Sequence, residues 1–289
     1  MFDVFKNRLE ITGTLTTVTA LRISRGRSNE PIGSDLPVVK DAFGQPLIPG
    51  SSFKGALRSR LESFLRGIDP TLARDPSELT GTDLNNEVKR LKENYANDAD
   101  RLTSEVEKLT DAASSVFGSP WQASKFQVRD LTVMPDTWFG QYQERDGVSI
   151  GRDTETAAEG RLYDFQVVPA GTQFSFKAIV ENAENWELGL LMVGLHQFET
   201  EQVPLGGGTS RGLGVVRLEK TALRWIDVRG ADGKPDPAKV RDYMEQLVIA
   251  PDQALADVTD QRQQWATDFI QQLPHLSQRS SADQQPTEA

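Results

Sequence analysis

A change in the spacing of apolar residues constrains the fold of this 289-residue chain more than any other feature. The segment RLEITGTLTTVTALRIS begins with alternating apolar and polar side chains, which predicts one long strand from Arg8 to about Val18. After a loop rich in Gly, Pro and Asn, PGSSFKGALRSRLESFLRG repeats apolar residues every three or four positions, which predicts a helix. The strand's predicted buried face comprises Leu9, Ile11, Gly13, Leu15 and Thr17.

The predicted helix has a basic face. We expect Ser51 or Ser52 to be its N-cap and Gly67 to end it. Lys54 and Arg58 lie four residues apart near its start, and a helix N-terminus with two cations is suited to bind a phosphate. An ordinary solvated face is the alternative.

The remaining pattern continues to alternate between helix and strand. An acidic, periodic stretch predicts one long helix from Asp83 to Ala112, as either a packed helix or a coiled coil. Further strands are predicted at residues 125–133 and 172–181, a helix at 184–200, and a glycine loop followed by a strand from 205 to about 227. This order indicates an α+β fold with a ferredoxin-like core.

The chain divides at residue 228. Residues 1–228 form the predicted domain, and residues 229–289 are predicted to be a linker, a helical extension from Pro237 to Leu273 and a disordered polar tail from Ser277.

The charge is unevenly distributed along the chain, whose formal net charge is -10. Residues 69–111 contain 6 basic and 11 acidic residues, and residues 229–289 contain 6 and 10, so the rest of the chain has a net charge of only about -1. The acidic balance therefore does not exclude binding to nucleic acid, which depends on local clusters of Lys and Arg.

Several kinds of chemistry are excluded by composition. The chain has no cysteine, and its two histidines, His196 and His275, lie far apart. Disulfides, Cys-ligated zinc, Cys nucleophiles and sites that use a nearby His pair are therefore excluded. With no long apolar run and a charged start, MFDVFKNRLE, the chain is expected to be cytoplasmic and to have no membrane partner.

Three loops carry candidate functional residues. LGGGTSRGLGVVRL contains five glycines and Arg211, which suits a phosphate contact or a flexible connection, and it lacks the Gly-Lys-Ser/Thr of a Walker loop. Asp35, in IGSDLPVVKD, is by composition an ordinary turn residue or a catalytic carboxylate. Residues 146–174 predict a protruding hairpin, from which Arg152 reaches a ligand or only solvent.

Taken together, the motifs resemble a known family. GSD with a following Pro, IPGSSFKGALRSRLE, VFGS, VRD, VSIGRDTETAAEGRLYDFQVVPAGTQF and GGGTSRGLGVVRL occur in the order found in the RAMP superfamily of CRISPR-associated proteins. Within that superfamily they resemble the backbone subunit of type III effector complexes. The resemblance covers residues 8–223 and implies a core of the RNA-recognition type. It also implies a helical lid at Asp69 to Ala113 and a thumb hairpin at Gly140 to Leu162.

The resemblance also implies a reaction and its partners. Asp35 matches the family's catalytic aspartate, which acts with Mg²⁺ or another divalent cation to cleave target RNA. The ribose 2′-OH attacks the adjacent phosphate, so DNA targets are expected to be bound and not cut. The implied partners are guide RNA, target RNA, other RAMP subunits and a large subunit. The two acidic segments are then expected to face neighbouring subunits, because acid along an RNA channel repels the backbone. The implied RNA contacts are Arg22, Ser51, Ser52, Lys54, Arg58, Arg152, Gly207, Gly208 and Arg211.

Two alternatives remain at this stage. In the first, the chain is a structural RNA-binding subunit in which Asp35 is inert. In the second, it is a stand-alone endoribonuclease with a histidine base, which is disfavoured because His196 lies in the apolar segment LLMVGLHQF and is expected to be a core residue.

Overall fold

The computed structural model describes residues 3–26, 34–150 and 157–282, with the side chains of 148–150, 157–162 and 278–282 left undescribed. These residues form a mixed α and β structure, in agreement with the predicted class. The strands are β1 (Asn7–Thr17), β2 (Leu47–Ile48), β3 (Phe126–Val128), β4 (Leu131–Val133), β5 (Gln143–Ile150), β6 (Ala157–Val167), β7 (Gln173–Glu181), β8 (Val216–Asp227) and β9 (Ala256–Asp257). The helices are α1 (Gly50–Ile68), α2 (Pro76–Leu79), α3 (Thr82–Asn94), α4 (Ala99–Lys108), α5 (Ala112–Phe117), α6 (Asn185–Glu199), α7 (Pro237–Ile249) and α8 (Arg262–Ala282).

Strand β1 is a central strand of the main sheet. It pairs antiparallel with β7 on one side and with β8 on the other, in the order β2-β4-β7-β1-β8-β9, and β3 also pairs with β7. Leu9, Ile11, Leu15 and Thr17 are buried, which confirms the predicted inward face. Strands β5 and β6 form a separate two-stranded sheet.

Helices α1 and α6 share a core with the main sheet. The ring of Phe53 in α1 stacks on Phe198 of α6, with centroids 4.3 Å apart, and lies 4.8 Å from Phe176 of β7. All three side chains are fully buried, and each contributes about 1.5–3 kcal/mol through burial of its apolar surface. This contact fixes the start of α1 relative to the sheet.

The sequence predicts one long helix from Asp83 to Ala112, but this acidic stretch is not a single helix. It is divided into α3 and α4, which contact each other, and the carboxylate of Asp98 accepts a hydrogen bond from the Arg101 amide at the start of α4. This cap replaces the helical bond that a continuous helix would need there. Val88 is the buried residue of α3, and α4 contributes none.

The predicted helix from Pro237 to Leu273 is also divided. Pro251 disfavours a helical conformation at Ala250, and α7 ends at the residue before it. The chain then adds β9 to the edge of β8 and enters α8. Helix α8 extends to Ala282 and therefore includes the first residues of the predicted polar tail, whereas residues 283–289 lie outside the described part.

Helix α8 belongs to the main core. Trp265, Phe269 and Leu276 are buried in the same apolar cluster as the sheet and α6. Residues 229–289 are thus partly integral to the body of the protein. Among the described residues, no helix has both the length and the apolar composition needed to cross a membrane.

Replacing Gly189 by Ala should destabilise the fold by about 1–3 kcal/mol, as overpacking does. A Cβ at this position of α6 would overlap the carbonyl oxygen of Trp265, a backbone atom that moves only with α8. Gly55→Ala is a matched control, because this helical glycine of α1 faces open space. The control should gain about 0.5–1 kcal/mol in helix stability.

Urea unfolding of the two variants measures both effects. An unchanged midpoint and slope for Gly189→Ala would contradict the close packing of α6 on α8.

Candidate functional site

Asp35 lies in an extended segment that is tied to its neighbours by backbone contacts. Isolated bridges join Ser24 to Val38 and Leu36 to Phe165 of β6. Ser34 is buried and Asp35 is partly exposed. Within the described part of the chain, the Asp35 carboxylate makes no hydrogen bond and no ion pair. The segment therefore holds Asp35 by its backbone and leaves its carboxylate available.

The end of β6 supports this segment directly. The Asp35 amide donates a hydrogen bond of 2.8 Å to Oδ1 of Asp164, and the Gln166 amide donates one of 3.1 Å to the Leu36 carbonyl. Asp164 was not identified from the sequence, since 129 positions separate it from Asp35. The β5–β6 hairpin and the Asp35 segment are thus joined at this point.

Two further predicted residues, Arg22 and Arg211, meet the same stretch of β6. The guanidinium of Arg22 lies over the Phe165 ring, 4.6 Å from its centroid, and Nη1 of Arg211 donates to the Tyr163 hydroxyl at 3.3 Å. The structure therefore brings Arg22, Asp35 and Arg211 together around Tyr163 to Phe165.

The glycine loop is anchored to the same place. The Gly207 amide donates to the Arg22 carbonyl at 2.8 Å. Gly206 has a φ of +76°, and a Cβ there would overlap the Arg22 carbonyl oxygen, so this position requires glycine. Gly208 is also left-handed, with φ +80°, and begins the short turn that carries Arg211. The glycine loop therefore has a defined conformation that is set by its contact with the backbone of Arg22.

Three buried polar atoms beside this cluster have no hydrogen-bond partner in the described part of the chain. They are Nε of Arg22, Oγ of Ser34 and Oε1 of Gln166. Buried polar groups are normally paired, so unpaired ones often mark a place where water, an ion or a ligand binds. Ser34 precedes Asp35, the Gln166 amide bonds to Leu36, and Arg22 lies over Phe165, so all three residues belong to this part of β6 and its neighbouring segment.

Lys54 and Arg58 form a second cluster on α1. Nζ of Lys54 donates to Oγ of Ser124 at 2.6 Å. Arg58 is bound by the buried carboxylate of Glu62 at 2.6 Å and donates to the Gly118 carbonyl at 3.1 Å. Arg58 lines a cleft of about 720 Å³ between α1 and the loop before β3. Burial, and then the neighbouring charge of Arg58, lower the pKa of Lys54.

The N-terminus of α1 differs from the prediction. Its N-cap is Pro49, and neither Ser51 nor Ser52 caps the helix. The Gly50 amide donates instead to Oδ1 of Asp130 at 2.8 Å. Asp130 lies between β3 and β4, so the predicted single strand at 125–133 is interrupted where this carboxylate turns towards the helix. A carboxylate already satisfies part of the helix end that a phosphate would use.

The oxygen atoms near Asp35 are of the type that binds a hard divalent cation, but they are too few to hold one alone. Asp35 supplies an available carboxylate, the kind of ligand that Mg²⁺ prefers, whereas Oδ1 of Asp164 already accepts the Asp35 amide. In the described ranges, however, no group of three His, Asp or Glu side chains is arranged to hold a metal ion. Water and substrate phosphate oxygens would have to complete the coordination.

Arg152 lies outside the described residues. His196, which the sequence suggests is a core residue, is instead exposed on α6. Its Nδ1 lies 3.2 Å from Oε2 of Glu199.

Comparison with known proteins identifies the family. A model of the RAMP superfamily matches residues 14–217, which include both clusters. This chain belongs to the RAMP superfamily. The match ends at the start of β8, so α7, β9 and α8 lie beyond it.

Curated relatives share a common name within the RAMP superfamily. The chain is 27% identical over 218 residues, or 73% of its length and 90% of the relative's, to the "CRISPR system Cms endoribonuclease Csm3" of Enterococcus italicus. It is 24% identical over 255 residues to the protein of the same name from Methanocaldococcus jannaschii, covering 84% of this chain and 91% of the relative. A third, from Methanothermobacter thermautotrophicus, is 26% identical over 246 residues, with 83% and 95% covered. The predicted resemblance is confirmed.

Proposed function

We propose that this chain is a backbone subunit of a type III CRISPR effector complex that binds guide RNA and cleaves complementary target RNA at Asp35. The observation that carries the proposal is the available Asp35 carboxylate, held by its backbone on β6 beside Arg22 and Arg211. Membership of the RAMP superfamily and relatives named endoribonucleases support it. The other proposed partners are further RAMP subunits and a large subunit.

The finer architecture belongs to the same proposal. The order β4-β7-β1-β8, with α1 following β1 and α6 following β7, supports a ferredoxin-like or RNA-recognition-type core. The β5–β6 hairpin corresponds to the thumb, and α2 to α4 correspond to the lid.

The proposed reaction is an in-line displacement within RNA. The 2′-oxygen forms a bond to the adjacent phosphorus as the bond to the 5′-oxygen breaks, which leaves a 2′,3′-cyclic phosphate and a 5′-hydroxyl. Mg²⁺, when bound, would neutralise charge on the phosphate. Asp35 would contribute by accepting the 2′-OH proton or by holding the ion, and Arg22 and Arg211 by orienting the phosphates.

Asp35→Asn should reduce the single-turnover cleavage rate at least about 100-fold, because loss of a general base or ligand carboxylate commonly costs that much. Target affinity should stay within a factor of about two to three, since the amide keeps the side chain's shape. The measurement uses the assembled complex, Mg²⁺ and a labelled complementary RNA. An all-deoxy target of the same sequence should bind and remain intact.

The outcome of this test also addresses the structural alternative. If cuts persist at the same positions and rates with Asp35→Asn, the chain is a non-catalytic RNA-binding subunit and the proposed reaction is wrong.

The charge pairing of the proposed RNA contacts favours phosphate binding. Within the described part of the chain, Arg22, Lys54 and Arg211 have no carboxylate partner, whereas Arg58 is paired with Glu62. The lowered pKa of Lys54 shows that its charge is poorly compensated where it lies. The negative charge of a phosphate at that point would offset the cost of burying the Lys54 ammonium and its repulsion from Arg58.

Lys54→Gln should weaken guide-RNA binding about tenfold, because a hydrogen bond to a charged group contributes ~1.5 kcal/mol. The slope of log K against log salt should fall by about 0.7, as expected for one lost contact to single-stranded RNA. Arg60→Gln is the matched control, since it removes one charge from the same helix at a side chain bound to Gln197 and Phe64. Equal effects of the two variants would indicate non-specific electrostatics.

The contacts with neighbouring subunits are proposed to involve α7. Met244, Leu247, Val248 and Ile249 are exposed there although they are apolar. Because α8 is part of the core, removal of residues 229–289 would damage the body of the protein, and surface changes on α7 are the sharper test.

Val248→Glu should impair assembly with the other subunits and leave the melting temperature and guide affinity of the isolated chain unchanged. Val248 is 84% exposed, so the change buries no charge within the chain. Gln246→Glu adds the same charge to the same helix and should assemble normally. Native mass spectrometry reports assembly, and complete assembly of Val248→Glu would rule out α7 as an interface.

A further inference from the structure

Asp164 is the side chain that holds the backbone of Asp35. Its Oδ1 accepts the Asp35 amide at 2.8 Å, and the bridge between Leu36 and Phe165 continues the contact by one residue. Asp164 is partly buried and belongs to β6, whose partner β5 completes the hairpin. The position of the Asp35 carboxylate is therefore set by the hairpin as well as by its own loop.

The geometry points to Asp164 as the positioning residue for Asp35: its oxygen fixes the Asp35 backbone and so aligns the reacting carboxylate with the base of the hairpin. The role requires a hydrogen-bond acceptor at Oδ1, and it does not require a negative charge. This inference rests on the proposed function only where cleavage is measured.

The acceptor and charge roles can be separated by substitution. Asp164→Asn keeps an oxygen that can accept the Asp35 amide and removes the charge. Asp164→Ala removes both. Asp146→Asn is the matched control, because Asp146 is directly opposite Asp164 on β5 and is exposed, so the change removes the same charge from the same hairpin.

The first measurement is hydrogen–deuterium exchange of peptides that cover residues 34–39 in the full chain. Asp164→Ala should increase exchange of this segment at least about fivefold, whereas Asp164→Asn and Asp146→Asn should stay within about twofold of the parent. Peptides from β1 and β7 should be unchanged in all three variants, which would show that the core remains folded.

The second measurement is single-turnover cleavage in the assembled complex at saturating target RNA, over a range of Mg²⁺ concentrations. Asp164→Ala should slow cleavage about 10- to 100-fold with unchanged target affinity, as expected when a reacting group is misplaced by about 1 Å. Asp164→Asn should restore the rate to within about threefold of the parent at the same Mg²⁺ midpoint.

Two results would overturn the inference. If Asp164→Asn loses as much activity as Asp164→Ala and needs more Mg²⁺, the Asp164 carboxylate acts as a metal ligand. If Asp164→Ala leaves exchange of residues 34–39 unchanged, Asp164 does not hold Asp35. Should the Ala variant fail to fold, the Asn variant decides, because loss of protection in a folded Asn variant contradicts the acceptor role.

Failure of the proposed function gives a different pattern. Cleavage that persists in Asp35→Asn would remove the catalytic role, while the exchange result would still show whether Asp164 holds the segment.

Discussion

The rest of the structure depends on the contact of Phe53 with Phe176 and Phe198. These rings join α1, β7 and α6 in one fully buried cluster, so the helix that follows the Asp35 segment has a fixed place on the sheet. The segment between β1 and α1 is anchored at both ends by this core. Of its described residues, Asp35 and Leu36 lie against β6, where their backbone bonds to Asp164 and Gln166.

The elements that periodicity predicts well are those whose buried face meets the core. The alternation of β1 and the helical spacing of α1 are both set by burial, and both agree with the structure. The predictions fail where a local competitor overrides the period. Asp98 divides an amphipathic stretch by capping α4, Asp130 interrupts a strand by binding the Gly50 amide, and Pro251 ends α7.

The site could be predicted only in part, for a similar reason. Motif resemblance predicts Asp35, Arg22, Arg211 and the glycine loop as candidate site residues, and the structure brings them together beside β6. Motif resemblance could not identify Asp164, because an acidic side chain that binds a backbone amide 129 positions away leaves no local sequence pattern. Lys54 and Arg58 are separated from that group in their own cluster, a division that helical spacing alone does not reveal.

The acidic composition of the chain makes the pairing of its cations informative. Several arginines form ion pairs with carboxylates, so their positive charge is largely compensated within the fold. They include Arg8, Arg58 and Arg229. An anion gains most from cations without such partners, because it replaces solvent and not an existing ion pair. Arg22 and Arg211 meet this condition, one over the Phe165 ring and the other at the Tyr163 hydroxyl, on the stretch of β6 that also holds the Asp35 backbone. The proposed phosphate contacts and the proposed reacting group would thus be organised by the same short stretch of β6, residues 163–165.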